Sequence, residues 1–152
     1  MQRGIAMEVK TLTTAQAPEI RRLILEIFSG EPWNDVWSDE QLCRYVRELL
    51  TGSGALAWGL YEAGRLIGIS LGRVKHWCAG TEYWIEEFGI QPQRQGRGLG
   101  SQFLAQVEEL VRERGISEIV LLTQRTVPAY RFYQRHGFAQ QPEQVFFTKE
   151  LR

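Results

Sequence analysis

The residues most suggestive of chemistry are Gln95-Gly96-Arg97-Gly98-Leu99-Gly100, three alternating glycines directly ahead of a run in which Leu99, Phe103, Val107, Leu110 and Val111 recur at helical spacing. Upstream, Trp84 to Ile90 reads as a strand that Pro92 closes, so the glycines occupy a strand-to-helix turn. Glycine permits a positive φ and lets a ligand approach the backbone, while the first N–H groups of the new helix have no partner of their own. Such a turn, including Ser101, can bind an anion, phosphate above all. Taken alone, the glycines fit a surface loop of Gly and Gln equally well. On the preceding strand Glu82, Trp84 and Glu86 share a face, and a carboxylate there could take a proton directly or through water. The same glutamates also fit a solvated or salt-bridged edge.

A second concentration lies at 31–40, where Glu31, Asp35, Asp39 and Glu40 accompany Trp33 and Trp37 with no basic residue. With Glu82, Glu86 and Glu87 this makes seven acids and no base across 31–40 and 81–90, surroundings that suit a cation through both carboxylates and aromatic faces. An acidic helix N-terminus with two partly buried tryptophans explains 31–40 as readily. Cys43 and Cys78 lie in unlike contexts, and neither they nor His76 and His136 show metal-ligand spacing, so no metal is expected. A dinucleotide-binding turn is suggested by Gly96-x-Gly98 with Glu118 further on. Ser101 stands at its third glycine position, however, and only one further strand-helix unit follows.

The elements that position these residues can be read in order. Met7 to Leu12 is a short strand, and Thr13-Thr14 with Pro18 opens a helix whose stripe is Ile20, Leu23, Ile24 and Ile27. Ser38 with Gln41 forms a capping-box pattern for a second helix with Leu42, Tyr45, Val46, Leu49 and Leu50 on its buried face. Ala55–Glu62 and Arg65–Lys75 flank Ala63-Gly64 as a hairpin, 77–80 is a loop, and Thr81–Ile90 is the fourth strand. Its phase slips, because Tyr83 and Ile85 share a face with Glu87 while the apolar positions resume at Phe88 and Ile90. A β-bulge near Glu87 to Gly89 would reconcile the two. A long helix ending at Arg114-Gly115 and a buried strand Glu118–Thr123 follow. Thr126 as N-cap and Pro128 begin a short helix that Gly137 stops. Phe138–Gln141 and Val145–Leu151 read as last strands.

The whole chain, 152 residues with 43% hydrophobic and 24% charged residues, reads as one domain, 1–152, able to bury its own core. Eighteen acids balance eighteen Lys and Arg, which gives no whole-molecule case for nucleic acid or an anionic membrane. No run is long and apolar enough to span a bilayer, and Met1–Ala6 lacks a signal-peptide core, so a cytoplasmic protein is expected.

With these segments in hand, the chain resembles the GNAT N-acetyltransferase superfamily, which uses acetyl-CoA. Gln95, Gly98 and Gly100 match that family's Gln/Arg-x-x-Gly-x-Gly/Ala turn, preceded by Ile90-x-Pro92. Ala129-x-x-Phe132-Tyr133-x-x-x-Gly137-Phe138 resembles its later A-x-x-[LF]-Y-x-x-x-G-F segment. The stretch Pro32-Trp33-Asn34 to Trp37 resembles one in relatives of aminoglycoside 6'-N-acetyltransferases.

The resemblance implies an α+β fold with a mixed, mostly antiparallel sheet of about seven strands, split between the fourth and fifth and flanked by four helices. It implies acetyl-CoA as co-substrate, with its pyrophosphate on backbone N–H groups from Gln95 to Ser101 and its pantetheine arm along Phe88, Gly89 and Ile90. Thr126 stands where members often carry a cofactor-contacting Asn. Tyr133 matches the position that protonates the CoA sulfur, although a core tyrosine is also consistent. Glu86 is then the first choice of base, with Trp33, Asp35, Trp37, Glu82 and Trp84 toward the acceptor. A small cationic amine is the expected acceptor, a peptide or protein amine the alternative, and a non-catalytic CoA-binding module the remaining one. A homodimer is among the partners allowed.

Overall fold

The computed structural model describes residues 6–152, so the reading of the N-terminal start falls outside the described residues for positions 1–5. The described residues divide into two compact units between Leu122 and Thr123. In the first, β1 (Met7–Thr11), β2 (Ala55–Glu62), β3 (Arg65–Trp77), β4 (Gly80–Ile90) and β5 (Glu118–Leu121) form a sheet in sequence order. The first four strands are antiparallel neighbours, and β5 joins β4 in parallel. That parallel step is possible because α3 (Leu99–Glu113) intervenes as the crossover. The β2–β3 hairpin turns at Ala63-Gly64 as the dipeptide predicts, with both residues at positive φ.

Helices α1 (Ala17–Phe28) and α2 (Asp39–Leu50) cover one face of the sheet. Their stripes Ile20, Leu23, Ile24, Ile27 and Leu42, Val46, Leu49 join Ala57, Ile69 and Leu71 in one core. Helix α3 covers the other, where Phe103, Val107 and Val111 meet Trp58, Ile67, Tyr83 and Ile85. The capping box of α2 forms as read: Gln41 N–H donates to Ser38 Oγ at 3.1 Å and Ser38 N–H to Gln41 Oε1 at 3.0 Å.

The bulge exists but lies earlier than expected. Leu71 of β3 pairs with Glu87 and Gly72 pairs with Ile85, which leaves Glu86 as the extra residue. A Cβ on Gly72 would run into the carbonyl of Trp84, so glycine is what permits the irregularity there. By absorbing one residue, the bulge keeps Tyr83, Ile85, Phe88 and Ile90 on the α3 face and sends Glu87 to the other.

In the second unit, α4 (Pro128–Arg135) has Val127 as N-cap with no side-chain cap bond, so Thr126 stands one residue ahead of the position assigned to it. Its C-terminus is a Schellman motif: Phe138 N–H bonds Tyr133 O at 3.0 Å and Gly137 N–H bonds Gln134 O at 3.2 Å, with Gly137 at φ 86°. Among the described residues the sheet has five strands, not about seven. The segments 138–141 and 145–151 carry no strand, and Val145, Phe146, Phe147 and Leu151 are exposed. Alternation prepares a chain for pairing, but without a neighbouring ladder it does not make a strand.

Candidate active site

The glycine turn is shaped for its backbone and not for packing. Gly96 and Gly98 have φ of 79° and 76°, and among the described residues a Cβ on either would meet nothing within 4 Å. Gly98 caps α3, whose first α-helical bond runs from Gln102 N–H to Gly98 O at 3.1 Å, so the amides from Leu99 onward precede it at the positive end of the helix dipole. Leu99 itself is buried in the α3 core, Gly100 and Ser101 are half-buried, and Arg97 is exposed. Gln95 holds the turn: its side chain donates to Ile90 O at 2.9 Å and its own N–H to Pro92 O at 3.2 Å. A second brace, not foreseen, is Arg94 Nε on Glu62 Oε2 at 2.6 Å, the carboxylate being buried at the end of β2. These residues fit a phosphate-bearing ligand, because the donors are backbone groups and the room beside them is open.

Strand β4 runs from this turn back toward the carboxylates. Its ladder with β5 ends at the Ile85–Leu121 pair, whereas β4 itself continues to Ile90. Phe88 stacks on Phe103 at 5.3 Å, and Gly89 lets Ile27 of α1 approach, since a Cβ there would lie 3.0 Å from its Cγ2. Ahead of them, Glu86 is exposed and Glu87 half-buried. Tyr45 Oη donates to Glu87 Oε1 at 2.6 Å, and the Tyr45 ring stacks on Trp37 at 5.0 Å with 27° between planes.

Burial, together with the negative charges of Asp35 and Glu86, pushes the Glu87 carboxyl up to about 7 against the opposing pull of the Tyr45 hydrogen bond. Burial and the same carboxylates raise the Tyr45 phenol well above its ordinary value, so it remains a donor. Asp35 is set by its backbone: Asn34 adopts φ 52°, and Asp35 N–H bonds Phe28 O at 2.9 Å. Trp33 meets Phe28 edge-on at 5.6 Å. Asp35, Val36, Trp37 and Gln41 line a shallow groove.

The structure therefore gathers Asp35, Trp37, Glu86 and Glu87 around Tyr45. It does not bring Glu82 and Trp84 to that cluster as free surfaces. Trp84 Nε1 donates to Glu82 at 3.1 Å, and Lys75 covers Trp84 at 5.2 Å and Trp77 at 4.7 Å, so this chain's own cation fills the aromatic face expected to hold a substrate. Sequence reasoning missed Tyr45 as a functional group, having placed it only on the buried face of α2. The available signal was that a phenol on a buried face needs a hydrogen-bond partner. In the second unit, Tyr133 is buried between Phe132 at 5.3 Å and Phe138 at 5.2 Å, and Thr126 is exposed. Among the described residues no group of three or more His, Cys, Asp or Glu could hold a metal ion, and no helix is long and apolar enough to cross a membrane.

Comparisons with known proteins bear on the family and the fold. The chain is 28% identical over 125 residues to the aminoglycoside N(6')-acetyltransferase type 1 of Stenotrophomonas maltophilia, covering 78% of this chain and 80% of that protein. It is 28% identical over 141 residues to the mycothiol acetyltransferase of Clavibacter sepedonicus, covering 91% of this chain but only 44% of that longer protein. The fold matches a solved structure of the aminoglycoside N-acetyltransferase AAC(6')-Iy in complex with CoA, with TM-score 0.77, 19% identity and 99% of each chain covered. The model of the acetyltransferase (GNAT) family matches residues 17–138, and with the glycine turn and the order of the elements it shows that this chain belongs to that family.

Proposed function

We propose that this acetyl-CoA-dependent N-acetyltransferase moves the acetyl group directly to a primary amine of a small cationic acceptor, aminoglycoside-like or polyamine-like, within a ternary complex. The observation that carries the acceptor class is the cluster of Asp35, Glu86 and Glu87 around Tyr45, beside a groove walled by Trp37. Carboxylates with aromatic faces attract ammonium groups, and similarity to an aminoglycoside acetyltransferase supports the same reading. Residues 1–152 act as one catalytic domain, with the cytoplasm as its setting.

Backbone N–H groups of Gly96 to Ser101 would hold the pyrophosphate, and β4 from Phe88 to Ile90 would lie along the pantetheine arm. Of the two adjacent carboxylates, Glu87 fits the base better than Glu86, because its titration near neutrality lets it both accept and release a proton at working pH. Glu87 takes one proton from the ammonium of the acceptor. The freed amine attacks the acetyl carbonyl, the C–N bond forms and the C–S bond breaks. Tyr133 gives a proton to the departing sulfur and regains one from the amide nitrogen through solvent.

Thiol release from acetyl-CoA, measured with a polyamine, an aminoglycoside and a peptide amine, tests the reading. The cationic small molecules should be turned over fastest, with kcat/KM lowered by added salt. A salt-insensitive preference for the peptide amine would move the acceptor to the protein or peptide class and leave the acetyl transfer standing.

A further inference from the structure

We propose that Tyr45 is a positioning residue for the acetyl transfer: its phenol, clamped by Trp37, holds Oε1 of Glu87 so that Oε2 alone is presented to the acceptor amine. The inference rests on Glu87 as the base. Its support is geometric. The phenol comes from α2 and the carboxylate from β4, and they meet at 2.6 Å, the ordinary length of a charge-assisted O–H···O bond. Trp37 stacks on the phenol ring within 27° of parallel, which restricts its rotation. The bulge at Glu86 is what turns Glu87 toward α2; in an unbroken ladder Glu87 would share the α3 face with Ile85.

The titratable groups acting on Glu87 are Tyr45 from α2, Asp35 from the connection before α2, and Glu86 on its own strand. From the other packed elements, β3 places Leu71 opposite it and α1 packs Ile27 and Phe28 over neighbouring Gly89, and none of these titrates. Among the described residues no positive side chain offsets Asp35 and Glu86 at Glu87, so the phenol hydrogen bond is the interaction that keeps Glu87 ionisable near neutral pH. Without it, the carboxyl would hold its proton to higher pH and the free oxygen could rotate away from the amine.

The test is Tyr45→Phe, which keeps the ring and its stack on Trp37. The acidic limb of the kcat/KM profile should move up by about one pH unit, giving roughly tenfold lower kcat/KM near pH 6 and a much smaller loss at pH 9, with acetyl-CoA affinity unchanged. A purely structural role would lower activity by the same factor at every pH, and that result would overturn the proposal. Titration of a 13C-labelled Glu87 carboxyl by NMR, in wild type and Tyr45→Phe without substrate, reads the same shift independently of turnover; coincident curves would also overturn it. Glu87→Gln separates the two levels of the argument. If Glu87→Gln leaves the acidic limb in place, Glu87 is not the base and the underlying reading fails. If it removes the limb while Tyr45→Phe leaves the limb unmoved, only the positioning role fails. In the Glu87→Gln background, Tyr45→Phe should add less than a twofold loss.

Discussion

At the scale of single residues, Glu87 is the group that the fold holds at a cost. Its carboxyl titrates at about 7 in the folded chain against an ordinary 4.5, so the native state binds the proton more tightly than the unfolded state does. Below about pH 4.5 both states are protonated and the group costs nothing; the penalty grows as pH rises toward 7 and is complete above it. Its ceiling is on the order of 3 kcal/mol, less whatever solvent reaching the half-buried group screens. Glu87→Gln, which can still accept from Tyr45, should therefore stabilise the protein against urea at pH 8 and change little at pH 4.5, while turnover falls. Equal stability changes at both pH values would show that Glu87 titrates normally. Tyr133 carries a separate expectation. Tyr133→Phe keeps the ring between Phe132 and Phe138 and removes only the hydroxyl, so kcat should drop about tenfold or more with acetyl-CoA affinity unchanged, the pattern of an interaction made in the transition state. Turnover retained across the pH range would leave Tyr133 a packing residue.

At the scale of elements, the turn from β4 into α3 combines two demands on one glycine. Under the proposed function Gly98 would need a left-handed backbone and an open side for a phosphate; its φ is 76°, and among the described residues no heavy atom lies within 4 Å of where a Cβ would stand. The two demands can be separated with asparagine, which tolerates positive φ better than other non-glycine residues but adds a side chain. Gly98→Asn should melt close to wild type yet bind acetyl-CoA at least about tenfold more weakly, since losing even one charge-assisted backbone contact costs about 1.5 to 3 kcal/mol. Calorimetric titration with CoA would check this, and unchanged affinity would dissociate the turn from the phosphate. The later motif divides differently. Tyr133-x-x-x-Gly137-Phe138 is the Schellman stop of α4, with the Tyr133 and Phe138 rings in contact, so its glycine and phenylalanine have a structural reason whatever the phenol does.

At the scale of the molecule, a formal net charge of zero conceals an uneven distribution. Residues 31–40 and 81–90 hold seven acids and no base; Glu40 is paired with Arg44 at 3.0 Å and Glu82 lies beside Trp84 under Lys75, so the uncompensated charge gathers at Asp35, Glu86 and Glu87. An exposed negative region steers cations, and salt screens it over roughly 8 to 10 Å at ordinary ionic strength. The acceptor's KM should rise several-fold between low and high salt. At pH 9, where Glu87 is ionised with or without its neighbour's charge, Asp35→Asn should raise KM with kcat nearly unchanged, as expected where binding is equal in ground and transition states. A KM indifferent to salt would remove the electrostatic argument for the acceptor.

The sequence by itself determined what depends on neighbours along the chain. The apolar stripes of α1, α2 and α3, the Ser38–Gln41 box, the Ala63-Gly64 turn and the glycine turn all rest on periodicity or on hydrogen bonds spanning a few residues. Even the need for a bulge was legible, because the apolar phase of β4 changes partway along it. Its location at Glu86 was decided by pairing with β3, where a Cβ on Gly72 would run into the carbonyl of Trp84. Tertiary structure alone brought Tyr45 to Glu87 across forty-two positions, set Lys75 over Trp84, and left 138–151 without a ladder. Local pattern fixes which face a residue occupies, whereas the group it meets on that face, and so its proton affinity, is set by whichever distant element packs there.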